Sequence, residues 1–245
     1  GDGFMRVSPN DISILEQSTG FRYNAKSSYT NIVDQFRYAE RFFVSYVTGS
    51  HAFKAGIQLD QGINNQDQIV HGDVNYTFRN ALPISVTQFA TPFLTKNRMR
   101  ELGIFAQDQW AIKRLTITYG LRFDNFNGSV PAQQLPATRF VPLARAFDRV
   151  DDVPSWTDLN PRVGTSYDLF GTGRTALKVS VGRYLEQLGA GIPNDNNPVV
   201  TSVLSAARTW NDSNGNFAPD CVLTNLAANG ECGPINNANF GKNNP

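Results

Sequence analysis

The chain has 245 residues, a formal charge of +1 and 40% hydrophobic residues. Near neutrality argues against a nucleic-acid binder, which carries a basic excess. No run approaches the roughly 18 consecutive apolar residues of a transmembrane helix, but membrane-spanning strands of about ten alternating residues escape such a test.

Aromatic residues make up 11% of the chain, with seventeen Phe and eight Tyr, and Asn and Gly are plentiful. That balance favours strands, turns and irregular loops over helices. The chain opens at Gly1 without an initiator Met or signal segment and stops at Pro245 without a closing element. It therefore reads as an internal piece of a longer protein.

In chain order, a weak strand candidate at 8–17 precedes a long connection at 18–34. The first clear strand follows. Phe36, Tyr38, Phe42, Val44 and Tyr46 share one phase with Glu40, and Gln35, Arg37, Ala39, Arg41, Phe43 and Ser45 fill the other. Alternation of this length gives a strand one apolar and one polar face. Thr48-Gly49-Ser50-His51 reads as a tight turn. Phe53, Ala55, Ile57 and Leu59 then alternate with Lys54, Gly56, Gln58 and Asp60, which completes a hairpin. A connection at 63–70 and two weaker strand candidates, 71–79 (Val74, Tyr76, Phe78) and 83–90, follow.

The second hairpin places Leu102, Ile104, Ala106 and Trp110 opposite Glu101, Gly103, Gln107 and Gln109, with Asp108 and Phe105 each in the wrong phase. It turns at Lys113-Arg114 and returns through Leu115, Ile117, Tyr119, Leu121 and Phe123. After a connection at 126–158, a third hairpin runs from Arg162 to Leu169. It turns near Gly171-Thr172-Gly173-Arg174 and returns through Leu177, Val179 and Val181. A tract at 188–245, rich in Asn and Gly, ends the chain.

Short connections (48–51, 112–114, 170–174) thus alternate with long ones (18–34, 63–70, 126–158, 188–245), which puts every tight turn at one end of the sheet. Outer-membrane barrels have this layout, with short periplasmic turns and long extracellular loops. Tyr46, Trp110, Phe123 and Phe170 suit an interfacial aromatic girdle. The other phase carries Arg37, Arg41, Lys54, Asp60, Arg122, Asp124, Asp168, Lys178 and Glu186. Alternation alone leaves a β-sandwich open, since there the apolar phase packs inward. Loop asymmetry and strand length favour the barrel. The expected fold is all-β, a fragment of a large antiparallel transmembrane β-barrel with about nine strands visible.

Motifs for catalysis are weak. Gly171-Thr172-Gly173-Arg174-Thr175-Ala176 matches a dinucleotide fingerprint, but the residues after it alternate as a strand rather than a helix. The two histidines, His51 and His71, make no metal spacing, and no nucleophile sits beside a base. No enzyme activity is expected. Cys221 and Cys232, with ten residues between them, suggest a small disulfide loop in an oxidising compartment. Two reduced thiols remain the alternative. Asp212, Asn214, Asn216 and Asp220 offer oxygens at calcium-loop spacing, although Phe217 stands where an EF-hand has Gly and Leu223 where it has Glu. An Asn/Asp-rich turn tract is the alternative there. In the 126–158 loop, Arg139, Arg145, Arg149, Asp151, Asp152 and Trp156 are candidates to touch a ligand, against simple solvation.

Three stretches carry a family resemblance. Gly103-Ile104-Phe105-Ala106-Gln107-Asp108-Gln109-Trp110 with Arg114-Leu115-Thr116 through Gly120-Leu121-Arg122-Phe123-Asp124 resembles a TonB-dependent receptor barrel hairpin. Asn160-Pro161-Arg162-Val163-Gly164, with Tyr167-Asp168-Leu169-Phe170-Gly171 and Ala176-Leu177-Lys178, looks like the next one. Ser45 to Lys54 is similar to an earlier one, and the Trp210 to Cys232 tract is of the same kind. The nearest subgroup is the Oar-like receptors that bear a carboxypeptidase-regulatory domain. The resemblance covers most of 11–240. It implies a barrel of about 22 strands around an N-terminal plug, in the outer membrane of a diderm bacterium. Ligand (siderophore, glycan, vitamin or peptide) would bind at loops and plug, and an inner-membrane TonB complex would pull the plug through strand addition to a short segment. Residues 1–245 hold neither plug nor that segment, so this stretch alone is expected neither to engage TonB nor to transport. Partners implied are outer-membrane lipid, TonB and an unidentified ligand. The alternatives are a passive outer-membrane channel and a secreted β-sandwich adhesin.

Overall fold

The structure, a computed structural model, describes residues 7–185 and 189–242. Glu186 lies outside the described residues. In chain order the strands are β1 (Ser13–Glu16), β2 (Phe21–Tyr23), β3 (Tyr29–Thr48), β4 (His51–Ile69), β5 (Val74–Arg79), β6 (Leu82–Phe89) and β7 (Phe93–Ile112). They continue with β8 (Leu115–Ser129), β9 (Gln133–Leu135), β10 (Arg145–Phe147), β11 (Ser155–Asp168) and β12 (Ala176–Gly182). Helices α1 (Gly191–Asp195) and α2 (Pro198–Thr201) precede β13 (Ser205–Thr209).

Six strands form one antiparallel sheet in the order β12-β11-β8-β7-β4-β3. Its tight turns fall where alternation breaks. Gly49 has φ 55°, and Lys113 takes φ 53° in the β7–β8 turn. In the third, Gly171 (φ 71°) and Gly173 (φ 72°) let the backbone curl round Asp168, whose carboxylate accepts N–H groups of Phe170, Gly171 and Gly173. The apparent dinucleotide fingerprint is this hairpin turn. β3 and β12 are the free edges, so the sheet is open among the described residues.

The register sorts every side chain by face. One apolar row across five strands reads Phe42, Ile57, Ile104, Phe123, Leu159, and the next reads Val44, Ala55, Ala106, Leu121, Pro161. Tyr46, Phe53, Asp108, Tyr119 and Val163 follow, then Thr48, His51, Trp110, Ile117 and Thr165, nearest the turns. Towards the long-loop end, past the row of Glu40, Leu59, Leu102, Asn125 and Thr157, this face turns polar with Gln61, Arg100 and Asn127. Phe123 therefore marks the far margin of the apolar band rather than a strand end. The band is unpacked: Phe42 is 66% exposed and Val181 76%, and neither belongs to a core cluster. A sandwich would have covered this face.

The two out-of-phase residues have local causes. Asp108 lies in the apolar band but is 3% exposed; it accepts the Tyr119 hydroxyl at 2.9 Å and faces His51 Nδ1 at 2.6 Å. Phe105 lies on the polar face, where a side chain at Gly56 would meet its ring at 2.9 Å; glycine leaves it room.

The expectation of about nine barrel strands is corrected to six in this sheet. The weak candidates at 8–17, 71–79 and 83–90 go elsewhere, into a five-stranded sheet of order β13-β6-β5-β1-β2, with β1 and β5 parallel. The physical reason is length and burial. β1 and β5 have 4 and 6 residues, too short for the roughly 9–11 a tilted membrane strand needs. Val74, Phe78 and Val86 are buried against Trp210, Phe140 and Phe240 in a core of their own. Conversely, the expected loop at 63–70 is mostly strand, because β4 runs on to Ile69. Both faces there are polar (Asn64, Asn65, Gln66, Asp67, Gln68), and Asn65 is buried between Asp34 and Arg98 rather than turned to lipid.

Candidate functional site

Two regions carry polar groups in built arrangements: the polar face of the six-stranded sheet, and the folded cap at its long-loop end.

On the polar face, strand register brings charges from five strands into a belt. Arg37 pairs with Asp60 at 3.0 Å, and Gln58 donates to the same carboxylate at 2.7 Å. Arg122 binds Asp124 at 2.7 Å and lies 4.0 Å from Glu101. Asn160 donates to the other Asp124 oxygen at 2.8 Å. A side chain at Gly103 would meet the Arg122 guanidinium carbon at 2.6 Å, so glycine there is what lets the arginine lie across the wall. At the β11–β12 edge Arg183 binds Asp158.

Nearer the loops, residues 191–201 cross this face. Asn197 (0% exposed) donates to Lys96 O at 3.2 Å and Asn97 Oδ1 at 3.1 Å, and accepts from Gln133 at 3.1 Å. Asn97 donates to Asn194 at 3.3 Å. Asn97 shares the polar phase with Glu101, and a side chain at Gly128, on that phase of β8, would meet Pro193 at 2.8 Å. Val199 packs on Leu135, Phe147 and Phe93. The helices α1 and α2 are thus strapped across the inner surface of β7 and β8 by amides.

The cap combines the five-stranded sheet with the chain after α2. Trp210, 2% exposed, lies 4.9 Å from Tyr76 and 6.0 Å from Phe78, with Nε1 3.3 Å from Glu231. Glu231 also accepts the Ser213 hydroxyl and the N–H groups of Ser213 and Asp220; led by the Ser213 hydroxyl, these bonds bring its pKa down to about 2. Buried Arg208 donates to the carbonyls of Gly233, Asn225 and Ala227. Cys221 and Cys232 are disulfide-bonded.

The six loop residues singled out from sequence do not converge on one site. Arg139 donates to Gly72 O and covers Phe140; Arg145 reaches Ala90 O at 3.5 Å, and burial lowers its pKa. Arg149 and Asp151 form an exposed pair at 2.6 Å. Asp152 accepts from Asn127, and Trp156 sits on the polar face with its ring 6.3 Å from Phe126. Asp212, Asn214, Asn216 and Asp220 do converge, in a loop that is closed on itself. The Asp212 carboxylate accepts the N–H groups of Gly215, Asn216 and Phe217, and Asn214 and Asn216 both donate to Asp220. Sequence reasoning noted the charges of the belt but not their pairing, which needs register. It missed the amide strap, whose Asn residues resemble any loop.

A sheet whose apolar face is bare and whose polar face is ion-paired and strapped has its lipid side outward. The family model described as outer membrane beta barrel domain matches residues 3–243. The chain belongs to that family. Neither the curated proteins nor the solved structures include a match to this chain. The protein is an outer-membrane protein of a Gram-negative bacterium. An outer-membrane β-barrel domain turns its apolar band to lipid and its polar face to the lumen. The secreted sandwich alternative falls with the bare apolar face.

Proposed function

We propose that this outer-membrane barrel domain is part of a TonB-dependent receptor of the Oar-like kind, importing a ligand by energised transport. The observation that carries the reading is the strap: α1 and α2 are held on the lumen wall by the buried amides of Asn97, Asn197 and Gln133 and the half-buried one of Asn194. Chain held on the lumen wall beneath a disulfide-closed cap narrows the passage, which supports a gated receptor over a wide open pore. The β7–β8 hairpin, with its Phe105-Ala106-Gln107-Asp108-Gln109-Trp110 strand, supports the same reading. In this account the chain performs no chemistry; its partners are outer-membrane lipid, the ligand and the TonB complex, which would act on a plug.

The test is retention of the full-length protein, purified in detergent, on an immobilised periplasmic domain of the same bacterium's TonB. Retention that a competing TonB-contacting peptide abolishes is expected. Absence of retention would leave a passive channel, the second reading of the same barrel.

A further inference from the structure

Below the ion-paired belt, towards the short turns, the lumen wall changes character. A cavity of about 500 Å³ opens there, and its lining includes four cations, Arg41, Lys54, Arg122 and Arg162, with no Asp or Glu among the described residues that line it. Only Arg122 has a carboxylate partner. The side chains of Arg41, Lys54 and Arg162 make no ion pair and no hydrogen bond among the described residues. Two are held in place by aromatic faces instead: Lys54 Nζ lies 4.2 Å from the centre of the Phe43 ring, and the Arg162 guanidinium 4.5 Å from that of Tyr184.

The register explains why the wall is concave here. Lys54, Gln107, Gly120 and Arg162 form one row across β4, β7, β8 and β11. Three strand spacings separate the two cations, about 14 Å between Cα atoms. The floor between them is low because Gly120 has no side chain; a Cβ there would stand 2.7 Å from Gln107 Cβ. The long Lys and Arg side chains thus flank a hollow from opposite sides, with Arg41 on a third.

We infer that this hollow is a binding site for a small ligand carrying two or more oxyanion groups, carboxylate or phosphate. Three cations on one wall without counter-charges among the described residues raise the local positive potential, and a concave, low-dielectric wall focuses it. Guanidinium forks match the two oxygens of a carboxylate or phosphate. Stacking on Phe43 and Tyr184 limits the freedom Lys54 and Arg162 would otherwise lose on binding. One anionic group cannot serve cations spaced this far apart, whereas a ligand with two or three can. The ion-paired belt above, with Asp60, Glu101, Asp124 and Asp158, offers no such excess. The inference does not depend on whether import is energised or passive.

The test uses the full-length protein in detergent, titrated calorimetrically with citrate and, separately, with pyrophosphate at about 0.1 M salt, a concentration at which only close charges are unscreened. The variants are Arg41→Gln, Lys54→Gln and Arg162→Gln singly and together, with heat-modifiable migration on gels as the check of folding. At least one probe should bind the wild type. Each single variant should weaken it roughly tenfold, the scale of one charge-assisted hydrogen bond. Binding of citrate alone assigns carboxylates, and binding of pyrophosphate alone assigns phosphates. Arg162→Lys, which keeps the charge, should retain more affinity than Arg162→Gln. Binding of neither probe to the wild type overturns the inference, as does equal binding by the wild type and any folded Gln variant. Should the triple variant fail to fold, the single variants decide.

Discussion

Leu121 and Gln109 lie on opposite faces of neighbouring strands, and arginine at each should have opposite consequences. Leu121 projects from the second apolar row, with Phe42, Ile57, Ile104, Phe123 and Leu159 on one side and Tyr46, Phe53 and Tyr119 on the other. That places it within the band, away from both margins. An outward arginine near the bilayer midplane costs about 2–4 kcal/mol, and little near the interfaces. Leu121→Arg should therefore lower the folding equilibrium in lipid by about 30-fold to 1,000-fold, taking about 1.4 kcal/mol per tenfold. Gln109 opposes Ala52 and Thr118 on the lumen face and is exposed. Gln109→Arg should stay within about 0.5 kcal/mol of wild type, as solvated surface substitutions do. Urea unfolding of the full-length protein in lipid vesicles, followed by heat-modifiable migration on gels, measures both. A tolerated Leu121→Arg beside a destabilising Gln109→Arg would invert the faces and refute the reasoning.

Four further outcomes follow from the cap and strap. Trp210→Ala should destabilise the cap by about 3–5 kcal/mol, as loss of a buried aromatic does, seen as faster proteolysis in the 205–240 region with barrel migration unchanged. Cys221→Ser with Cys232→Ser should cost the cap about 3 kcal/mol from a freed loop of this size, measured by the same proteolysis. Glu16 and Glu231 both sit at about 2, down from 4.5, held by hydrogen bonds led by those from the Ser18 and Ser213 hydroxyls respectively. A lowered carboxylate pKa gives stability that is complete above about 4.5 and lost as pH falls towards 2. Cap protease resistance should decline across that window, and a flat profile would contradict it. Asn97→Leu removes the donor to Asn194 and one of the two acceptors of Asn197, at about 1–3 kcal/mol; hydrogen exchange at 191–201 should rise while that of β11 does not.

The three hairpins were legible because lipid forces one apolar phase on each strand, and the turn residues Gly49, Lys113 and Gly171 interrupt it. The same strands were read too short where they leave the lipid. There Asn64 to Gln68 put polar side chains on both faces, so nothing alternates. The cap sheet was hidden for another reason. β1 pairs with β5 across some sixty residues, Ser13 with Asn75, and in parallel, a pairing no local pattern announces. Among site residues, the loop arginines drew attention as charges without visible partners. Arg139 and Arg145 are tied instead to the carbonyls of Gly72 and Ala90, which a sequence does not show. Arg41, Lys54 and Arg162 were visible as polar-phase cations, but only the folded sheet reveals that they line one hollow while the acids pair with other groups.

The most direct test of the energised-receptor account is the sequence of the complete reading frame around this stretch. The account predicts a signal peptide, a plug domain and a TonB-contacting segment upstream, with further alternating strands to close the six-stranded sheet. A complete frame with a signal peptide and a closed set of strands but no plug would contradict it, and the barrel would then be a passive one.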